Sequence, residues 1–209
     1  CVGSRDDERP YCSRVCCANA VKNAIKLREL NPRMSVHVLY RDMRTYGLKE
    51  LRYREAREKG VVFCRYEAEA KPEVALDSGR PSVRLRDPIL DRTLMFRPEL
   101  LVLSTGIAPN PDNKQLSQML KVPLGADGFF LEAHVKLRPV DFATDGVFVC
   151  GLAHYPKDLA ETITQAKAAA GRAATVLSRT TLEVEGKVSA VRKERCSGCG
   201  ACVEVCAYQ

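Results

Sequence analysis

The sequence predicts an α/β fold of Rossmann-like type that ends in a small cysteine-rich segment. Strand and helix patterns alternate over the first part of the chain, two later apolar strands each run into glycine, and cysteines cluster at both ends. Alternating strands and helices are typical of a parallel sheet covered by helices. No apolar run approaches the ~20 residues that a membrane span needs, and the basic-then-apolar pattern of a secretory leader does not occur in these residues.

The first elements follow from hydrophobic periodicity. Apolar residues at helical spacing predict a helix over 13–30, ended by Pro32, and a second, charged helix over 48–59 ends at Gly60. Runs rich in β-branched and aromatic residues predict buried strands over 35–43 and 61–69. With the CVG start counted as the end of an earlier strand, this order indicates a Rossmann-like half-domain.

The later elements are of two kinds. SVRLRD and TLMFRP predict paired strands around Asp87-Pro88, while apolar strands are expected over 99–105 and 145–153. A long helix over 159–178 begins with a capping-box pattern at Asp158 and Glu161. Its apolar face is formed by Leu159, Ile163, Ala166, Ala170, Ala173 and Leu177.

We expect three parts in this chain. Residues 1–103 form a Rossmann-like half-domain with an N-terminal cysteine group, and residues 104–178 form a returning segment that faces a cofactor. Residues 179–209 form a linker or strand and a truncated ferredoxin-like domain. Both ends of the sequence suggest an internal or C-terminal fragment of a longer protein.

The net charge of +7 does not indicate nucleic-acid binding, because basic and acidic residues are interleaved, as in LKELRYREAREK. No basic stripe carries interleaved aromatic residues. The excess charge favours an acidic partner or an anionic cofactor.

The ten cysteines are the most informative residues. Cys64 and Cys150 lie in apolar strands and are expected to be buried, inert thiols. A disulfide scaffold is normally short and loop-rich, so clustered thiols in this chain indicate metal sites in a reducing cytoplasm. The other eight form two groups: Cys1, Cys12, Cys16 and Cys17, and Cys196, Cys199, Cys202 and Cys206.

The second group has the spacing C-x2-C-x2-C-x3-C, which is that of ferredoxin-type [4Fe–4S] sites. Gly198 and Gly200 permit a tight backbone around a cluster, whereas structural zinc usually takes separated cysteine pairs. Zinc or unligated thiols remain the alternatives. Cys206 is the least secure ligand, because Ala207 replaces the usual proline and because a fourth cysteine often serves a second cluster.

Two segments have the shape of chain that passes beneath FAD in two-dinucleotide-domain flavoproteins. LLVLSTGIAPN runs into Thr105 and Gly106, and TDGVFVCGLA runs into Gly151 before a helix. Thr105-Gly106 is equally compatible with an ordinary turn. No G-x-G-x-x-G occurs, and the first cysteine group stands where a nicotinamide loop belongs, which argues against NAD(P)H as the direct partner.

Four segments of the sequence are considered together: CVGSRDDERPYCSRVCC, VLSTGIAPNP, DGFFLEAHVKLRPVDFATDGVFVCGLAHYPKDLAETITQAKAAAGRAA and CSGCGACVEVC. These segments resemble the A-type subunits of heterodisulfide reductase and their relatives. The resemblance runs along nearly the whole chain. It implies an incomplete thioredoxin-reductase-like FAD scaffold with a ferredoxin-like segment. It also implies electron transfer between FAD and [4Fe–4S] clusters, with flavin-based bifurcation in some complexes.

The resemblance assigns residues as well. Cys1, Cys12, Cys16 and Cys17 match the family's cluster motif next to the flavin, with Cys1 the least certain. Gly106, Gly151 and the helix start at Leu159 and Ala160 match the flavin-facing segments. Leu152 stands where many flavoproteins have an aspartate, and Lys22 or Lys157 would place a positive charge near the flavin, unless each is an exposed surface charge.

The sequence favours an oxidoreductase subunit that depends on FAD and iron–sulfur clusters and has no catalytic acid–base residues. Its expected partners are other redox subunits and the upstream part of the same protein, which would supply the rest of the FAD site. A non-catalytic iron–sulfur docking module and a zinc-binding regulatory protein are the alternatives.

Overall fold

The computed structural model describes residues 1–181 and 189–206, which form a mixed α/β protein with two small sheets. The chain divides into two compact units, Cys1–Ile107 and Ala108–Gln209. The middle of the predicted linker (182–188) and Ala207 lie outside the described residues. Within the described ranges, no helix has both the length and the apolar character required to cross a membrane.

The first unit begins with the predicted order of helices and strands. Helix α1 spans Cys16–Leu30, strand β1 His37–Tyr40, helix α2 Lys49–Glu58 and strand β2 Val62–Arg65. Strands β1 and β2 pair in parallel, with His37 opposite Val62. Apolar side chains of the two helices and of the residue just before β2 form a buried core of Val21, Ala24, Ile25, Ala56 and Val61.

Helix α1 starts three residues later than periodicity predicts. Arg14 has a φ of 61°, a left-handed backbone conformation that a right-handed helix cannot contain. The helix therefore begins at the adjacent Cys16 and Cys17, and Ser13 is fully buried just before it.

A three-stranded antiparallel sheet completes the first unit. It contains β3 at Glu73–Asp77, β4 at Arg80–Asp87 and β5 at Arg92–Phe96, in the order β3-β4-β5. The predicted β4–β5 hairpin is confirmed, and the Asp87 carboxylate accepts backbone N–H bonds from Ile89 and Leu90 in its turn. Strand β3 was not predicted. All five of its residues are exposed, so the strand has no buried face to mark it.

The predicted strand over 99–105 is wrong. In this described stretch the only ladder contact is an isolated parallel bridge between Thr105 and Val2. The apolar residues that suggested a strand are instead exposed: Leu100 by 73%, Val102 by 69% and Leu103 by 57%. A strand requires a neighbour to pair with, and the described part of the first unit supplies one only at Val2.

The second unit is mostly loops, bridges and helices. Helix α3 spans Asn113–Leu120 and was not predicted, whereas the expected strand over 145–153 is wrong. That segment holds one isolated bridge, Asp141 to Phe148, and a 3-10 turn at Gly151–Ala153, because Gly146 and Gly151 take positive φ. The core of the second unit contains Val122, Phe130, Phe142 and Val149.

Helix α4 spans Leu159–Leu177, and its predicted cap is confirmed, since the Asp158 carboxylate accepts the backbone N–H of Glu161 at 2.8 Å. None of the residues in this described helix is buried. Leu159, Ile163 and Leu177 on the apolar face are 74%, 47% and 83% exposed. A 3-10 turn at Lys193–Arg195 and the short helix α5 at Ala201–Glu204 follow.

Candidate functional site

The four cysteines of the first group lie around one concavity on the first unit. Its lining consists of these four thiols and three basic residues: Cys1, Cys12, Cys16, Cys17, Arg5, Arg14 and Arg44. Cys1 is exposed, the other three are half-buried, and each of the four is a free thiol. The structure thus brings together four cysteines that are up to sixteen positions apart in the sequence.

The cysteine loop reaches this arrangement through unusual backbone turns. Gly3, Arg5 and Arg14 have positive φ angles of 70°, 59° and 61°. Such values are uncommon for arginine and are retained where the surrounding contacts over-determine the backbone. The loop is tied by backbone bonds from Arg5 to Tyr11 and from Asp6 to Arg9, at 3.1 and 3.2 Å.

Residues 104–107 of the predicted flavin-facing segment (100–110) dock directly against this loop. The Gly106 N–H donates to the Val2 carbonyl at 2.7 Å, and the Ile107 N–H donates to the Ser13 hydroxyl at 2.8 Å. The Tyr11 hydroxyl donates to the Ile107 carbonyl at 2.9 Å, so that the segment is held along its length.

Gly106 is required by this packing. A Cβ at Gly106 would lie 2.8 Å from the Ser4 Cβ and 2.9 Å from the Gly3 carbonyl oxygen. The close approach that the structure shows at Gly106 is to the cysteine loop. The close approach of this glycine to a cofactor stays a prediction from the sequence.

The thiols of the group influence one another. Burial raises the pKa of the Cys16 thiol most strongly, and the charges of Cys17 and Cys12 raise it further. The Cys16 thiol donates weakly to the Thr105 carbonyl and the Cys17 thiol to the Asp42 carbonyl, at 3.8 and 3.7 Å. Packing several thiolates together is unfavourable without a cation, and metal binding removes this repulsion.

Arginine residues supply positive charge at the same concavity. Arg5 donates to the Asp42 carboxylate at 2.5 Å, and Arg44 stands 3.7 Å from the same carboxylate. The hydrogen bond from Arg5 holds the pKa of Asp42 below its usual value, with the nearby Arg44 contributing. Arg14 lies over the ring of Tyr46 and donates to its hydroxyl at 3.2 Å.

This donor set fits an iron–sulfur cluster better than one metal ion. Among the described residues, no three His, Cys, Asp or Glu side chains are close enough to hold a single ion. A four-iron cluster binds each thiolate through a different iron, so its ligands stand further apart. The four cysteines around this concavity are therefore the residues that would hold a cluster.

The second cysteine group lies on a short exposed stretch of the second unit. Cys196, Cys199, Cys202 and Cys206 are all exposed, and the glycines between them, Gly198 and Gly200, have φ angles of 73° and 77°. A hydrogen bond from the Ala201 N–H, followed by one from Ser197, lowers the pKa of the Cys199 thiol. Backbone N–H groups directed at sulfur are what a ferredoxin-type site provides.

The predicted flavin-facing residues are divided between the two units. Thr105, Gly106 and Lys22 belong to the first, where Lys22 and Thr105 are exposed. The remaining five belong to the second unit, in which Leu152, Leu159 and Ala160 are exposed while Gly151 and Lys157 are buried.

Lys157 is not the surface charge that its sequence context suggests. It is 8% exposed, and its ammonium group donates to the carbonyls of Gly151 and Tyr155 at 2.6 and 2.8 Å. The Gly151 N–H in turn donates to the Gln165 side chain at 2.8 Å. Both groups therefore stabilise the turn that leads into α4.

A half-buried polar network extends from this turn, and no sequence pattern predicted it. His154 contacts the Glu132 carboxylate at 2.6 Å and the Gln165 amide at 2.8 Å. Burial alone would raise the pKa of Glu132, but hydrogen bonds from its own N–H and from His154 outweigh burial and lower it. Glu132 stands 22 residues from His154, so no local pattern links them.

The arginine residues around the first cysteine group were also not predicted. Arg5 and Arg9 lie between Cys1 and Cys12, and Arg14 lies between Cys12 and Cys16. This placement among the cysteines is the only sequence signal for them. Of these three, Arg5 and Arg14 line the concavity. Cys64 is buried as predicted, with its pKa raised by burial, whereas Cys150 is only half-buried.

No protein-family model matches the chain. One of two A-type iron–sulfur subunits of the CoB–CoM heterodisulfide reductase of Methanopyrus kandleri is 41% identical over 215 residues, which cover the whole chain and 32% of the relative. The corresponding A-type subunit of the H2:CoB-CoM heterodisulfide, ferredoxin reductase of Methanothermobacter thermautotrophicus is 38% identical, again over the whole chain and 32% of the relative.

The chain belongs to the family of heterodisulfide reductase A-type subunits. A protein of Archaeoglobus profundus that is named as similar to the same subunit is also 38% identical, over the whole chain and 30% of the relative. The chain thus spans about a third of the length of the curated relatives it matches. Both cysteine groups and both glycine segments lie within the matched region of this family.

Proposed function

We propose that this chain is the iron–sulfur-bearing part of an electron-transfer oxidoreductase subunit that works with FAD. The observation that carries the proposal is the convergence of four free thiols and three arginines on one concavity. The names of the relatives support it, because one is named as an iron–sulfur subunit of a heterodisulfide reductase and another as part of a heterodisulfide, ferredoxin reductase. A reducing cytoplasm is the location that free clustered thiols favour.

Cys1, Cys12, Cys16 and Cys17 would hold one [4Fe–4S] cluster, and Cys196, Cys199, Cys202 and Cys206 a second. When bound, FAD takes up one or two electrons, whereas each cluster takes up one at a time. The cysteine loop and segment 104–107 are held together by the bonds from Gly106 and Ile107. This contact would fix the first cluster beside a flavin-facing backbone.

In the second unit, we propose that exposed residues at the start of α4 face the flavin. Leu152, Leu159 and Ala160 are all accessible there, while Lys157 and Gly151 hold the turn behind them. The finer fold proposed is a Rossmann-like, thioredoxin-reductase-like scaffold, of which β1 and β2 are a parallel pair. Residues 1–103, 104–178 and 179–209 are its proposed half-domain, returning segment and ferredoxin-like segment.

The exposed apolar face of α4 and the exposed Leu100, Val102 and Leu103 suggest where other protein covers the chain. Monomeric proteins rarely leave such continuous apolar faces in water. We propose that these apolar surfaces are covered by the rest of the same subunit and by other redox subunits. The rest of the subunit would also supply the remainder of the FAD site. Electron bifurcation, which the family likeness implies for some complexes, belongs to the same proposal.

A second candidate function is an iron–sulfur docking module that joins redox subunits without turnover, which the uncovered face of α4 favours. Dithionite reduction of the protein with assembled clusters and flavin, followed by optical and EPR spectra, separates the two functions. Electron transfer predicts reducible clusters. Clusters that stay oxidised at accessible potentials would favour the docking module, and zinc without acid-labile sulfide would contradict both.

A further inference from the structure

Arg5 occupies a singular position in the cysteine loop. It lies between Cys1 and Cys12 in the sequence and lines the concavity with the four thiols. Its side chain is 9% exposed, although arginine is normally a surface residue. Its backbone is fixed by a bond from its N–H to the Tyr11 carbonyl and by a bond from Arg41 to its own carbonyl, at 3.1 and 3.2 Å.

Among the residues that the structure describes, one half of the Arg5 guanidinium has a partner and the other half has none. Nη2 donates to the Asp42 carboxylate at 2.5 Å. Nη1 is buried and makes no hydrogen bond to any described residue. A buried N–H of a charged group is costly to leave unsatisfied, so native proteins nearly always pair it with protein, water or a ligand.

The contacts around Asp42 tie this guanidinium to the thiols. The Asp42 side chain holds Arg5, while the Asp42 main-chain carbonyl accepts the Cys17 thiol at 3.7 Å. The same residue therefore contacts one arginine and one cysteine of the concavity. This connection fixes Arg5 relative to the cysteine group, and its unpaired nitrogen belongs to a side chain that lines the same space.

We propose that Nη1 of Arg5 donates a hydrogen bond to a sulfur atom of the cluster held by Cys1, Cys12, Cys16 and Cys17, and thereby raises the reduction potential of that cluster. The inference rests on the proposed iron–sulfur function. One-electron reduction adds one negative charge to a group already surrounded by four thiolates. A buried guanidinium that donates to sulfur stabilises the more negative form, since hydrogen bonds and charge set cluster potentials.

The test is an EPR-monitored redox titration with dithionite as the electron donor. It uses the complete protein with clusters assembled anaerobically, in a Cys199→Ser background, and the signal of the first cluster is identified as the one that Cys16→Ser removes. Arg5→Gln is expected to lower the equilibrium constant for one-electron reduction about tenfold, which is about 59 mV for one electron. Arg5→Lys, which keeps the charge but not the fork, should give a smaller decrease.

Arg9→Gln is the matched control, because Arg9 is on the same loop but pairs with the exposed Glu8. Its midpoint potential should equal that of the parent protein. An unchanged potential in Arg5→Gln with full iron content would overturn the inference. If Arg5→Gln loses iron, the Arg5→Lys variant is used instead. A midpoint potential equal to that of the parent protein in Arg5→Lys, with full iron content, would then overturn the inference. Absence of iron and sulfide in the wild-type protein would instead contradict the proposed function itself.

Discussion

Gly106 and Ser4 are so close that a methyl group on Gly106 would come within 2.8 Å of the Ser4 Cβ. The two residues are far apart in the sequence, but their contact locks a glycine segment onto the cysteine loop. The loop and the segment therefore form one structural element, in which the geometry of the thiols depends on a position that carries no thiol.

We predict that Gly106→Ala impairs assembly of the first cluster. The added methyl group also meets the backbone carbonyl of Gly3 at 2.9 Å, so the loop must shift. Overpacking of this kind costs about 1–3 kcal/mol of unfolding free energy. Urea denaturation, together with iron and sulfide analysis, measures both effects.

Gly171→Ala is the matched control, because a Cβ at Gly171 in helix α4 meets no atom within 4 Å. It should leave iron unchanged and stabilise the helix by up to about 1 kcal/mol. Equal iron contents in the two variants would contradict the role given to Gly106.

Lys157→Met should destabilise the second unit by about 1–3 kcal/mol, because the carbonyls of Gly151 and Tyr155 each lose a charged donor. We expect the flavin content of the complete protein to fall with it. Urea unfolding and the ratio of flavin to protein are the measurements. Lys22→Met removes an exposed lysine and should change stability by less than about 0.5 kcal/mol; an equal loss of unfolding free energy in both variants would argue against a buried structural role for Lys157.

Glu132 should make stability depend on acid pH. Its pKa is lower in the folded protein than in the unfolded chain, so its stabilisation is complete above the unfolded value of about 4.3 and is lost as the pH falls through the folded value. Glu132→Gln should therefore lower the unfolding free energy by about 1–2 kcal/mol at pH 7. Urea unfolding of the metal-free protein at several pH values should show this difference shrinking below pH ~4; a difference independent of pH would refute the assignment.

Ile163→Glu tests whether the apolar face of α4 is covered in the complete protein. Ile163 is 47% exposed in this chain, so its replacement should leave the unfolding free energy of the chain within about 0.5 kcal/mol. In the complete protein, the buried charge should reduce flavin content and association with partner subunits. Thr164→Glu, which lies off the apolar face, should have neither effect, and equal behaviour of the two variants would exclude a covered face.

Local sequence patterns predicted those elements whose stabilising partners are also local. Helices α1, α2 and α4, strands β1 and β2, and the β4–β5 hairpin follow from periodicity and turn chemistry. The segments 99–105 and 145–153 have the composition of strands, yet a strand forms only beside a neighbour. The described residues offer these segments isolated bridges at Thr105 and at Phe148.

The cysteines of the candidate site could be picked out from the sequence, whereas the residues around them could not. Cysteine spacing is a property of the sequence, and both groups were found from it. Which arginine of the loop turns inward depends on the left-handed backbone at Arg5 and Arg14, which has no sequence signature. The pairing of His154 with Glu132 likewise depends on the tertiary fold.

The central claim is that the two cysteine groups each hold a [4Fe–4S] cluster. The most direct test quantifies iron, sulfide, zinc and flavin together after anaerobic purification of the complete protein and of its Cys16→Ser, Cys199→Ser and Cys150→Ala variants. We predict about four irons per complete cysteine group, one FAD, loss of one group's iron in each of Cys16→Ser and Cys199→Ser, and no loss in Cys150→Ala. Zinc without sulfide, or full iron content in Cys16→Ser, would contradict the claim.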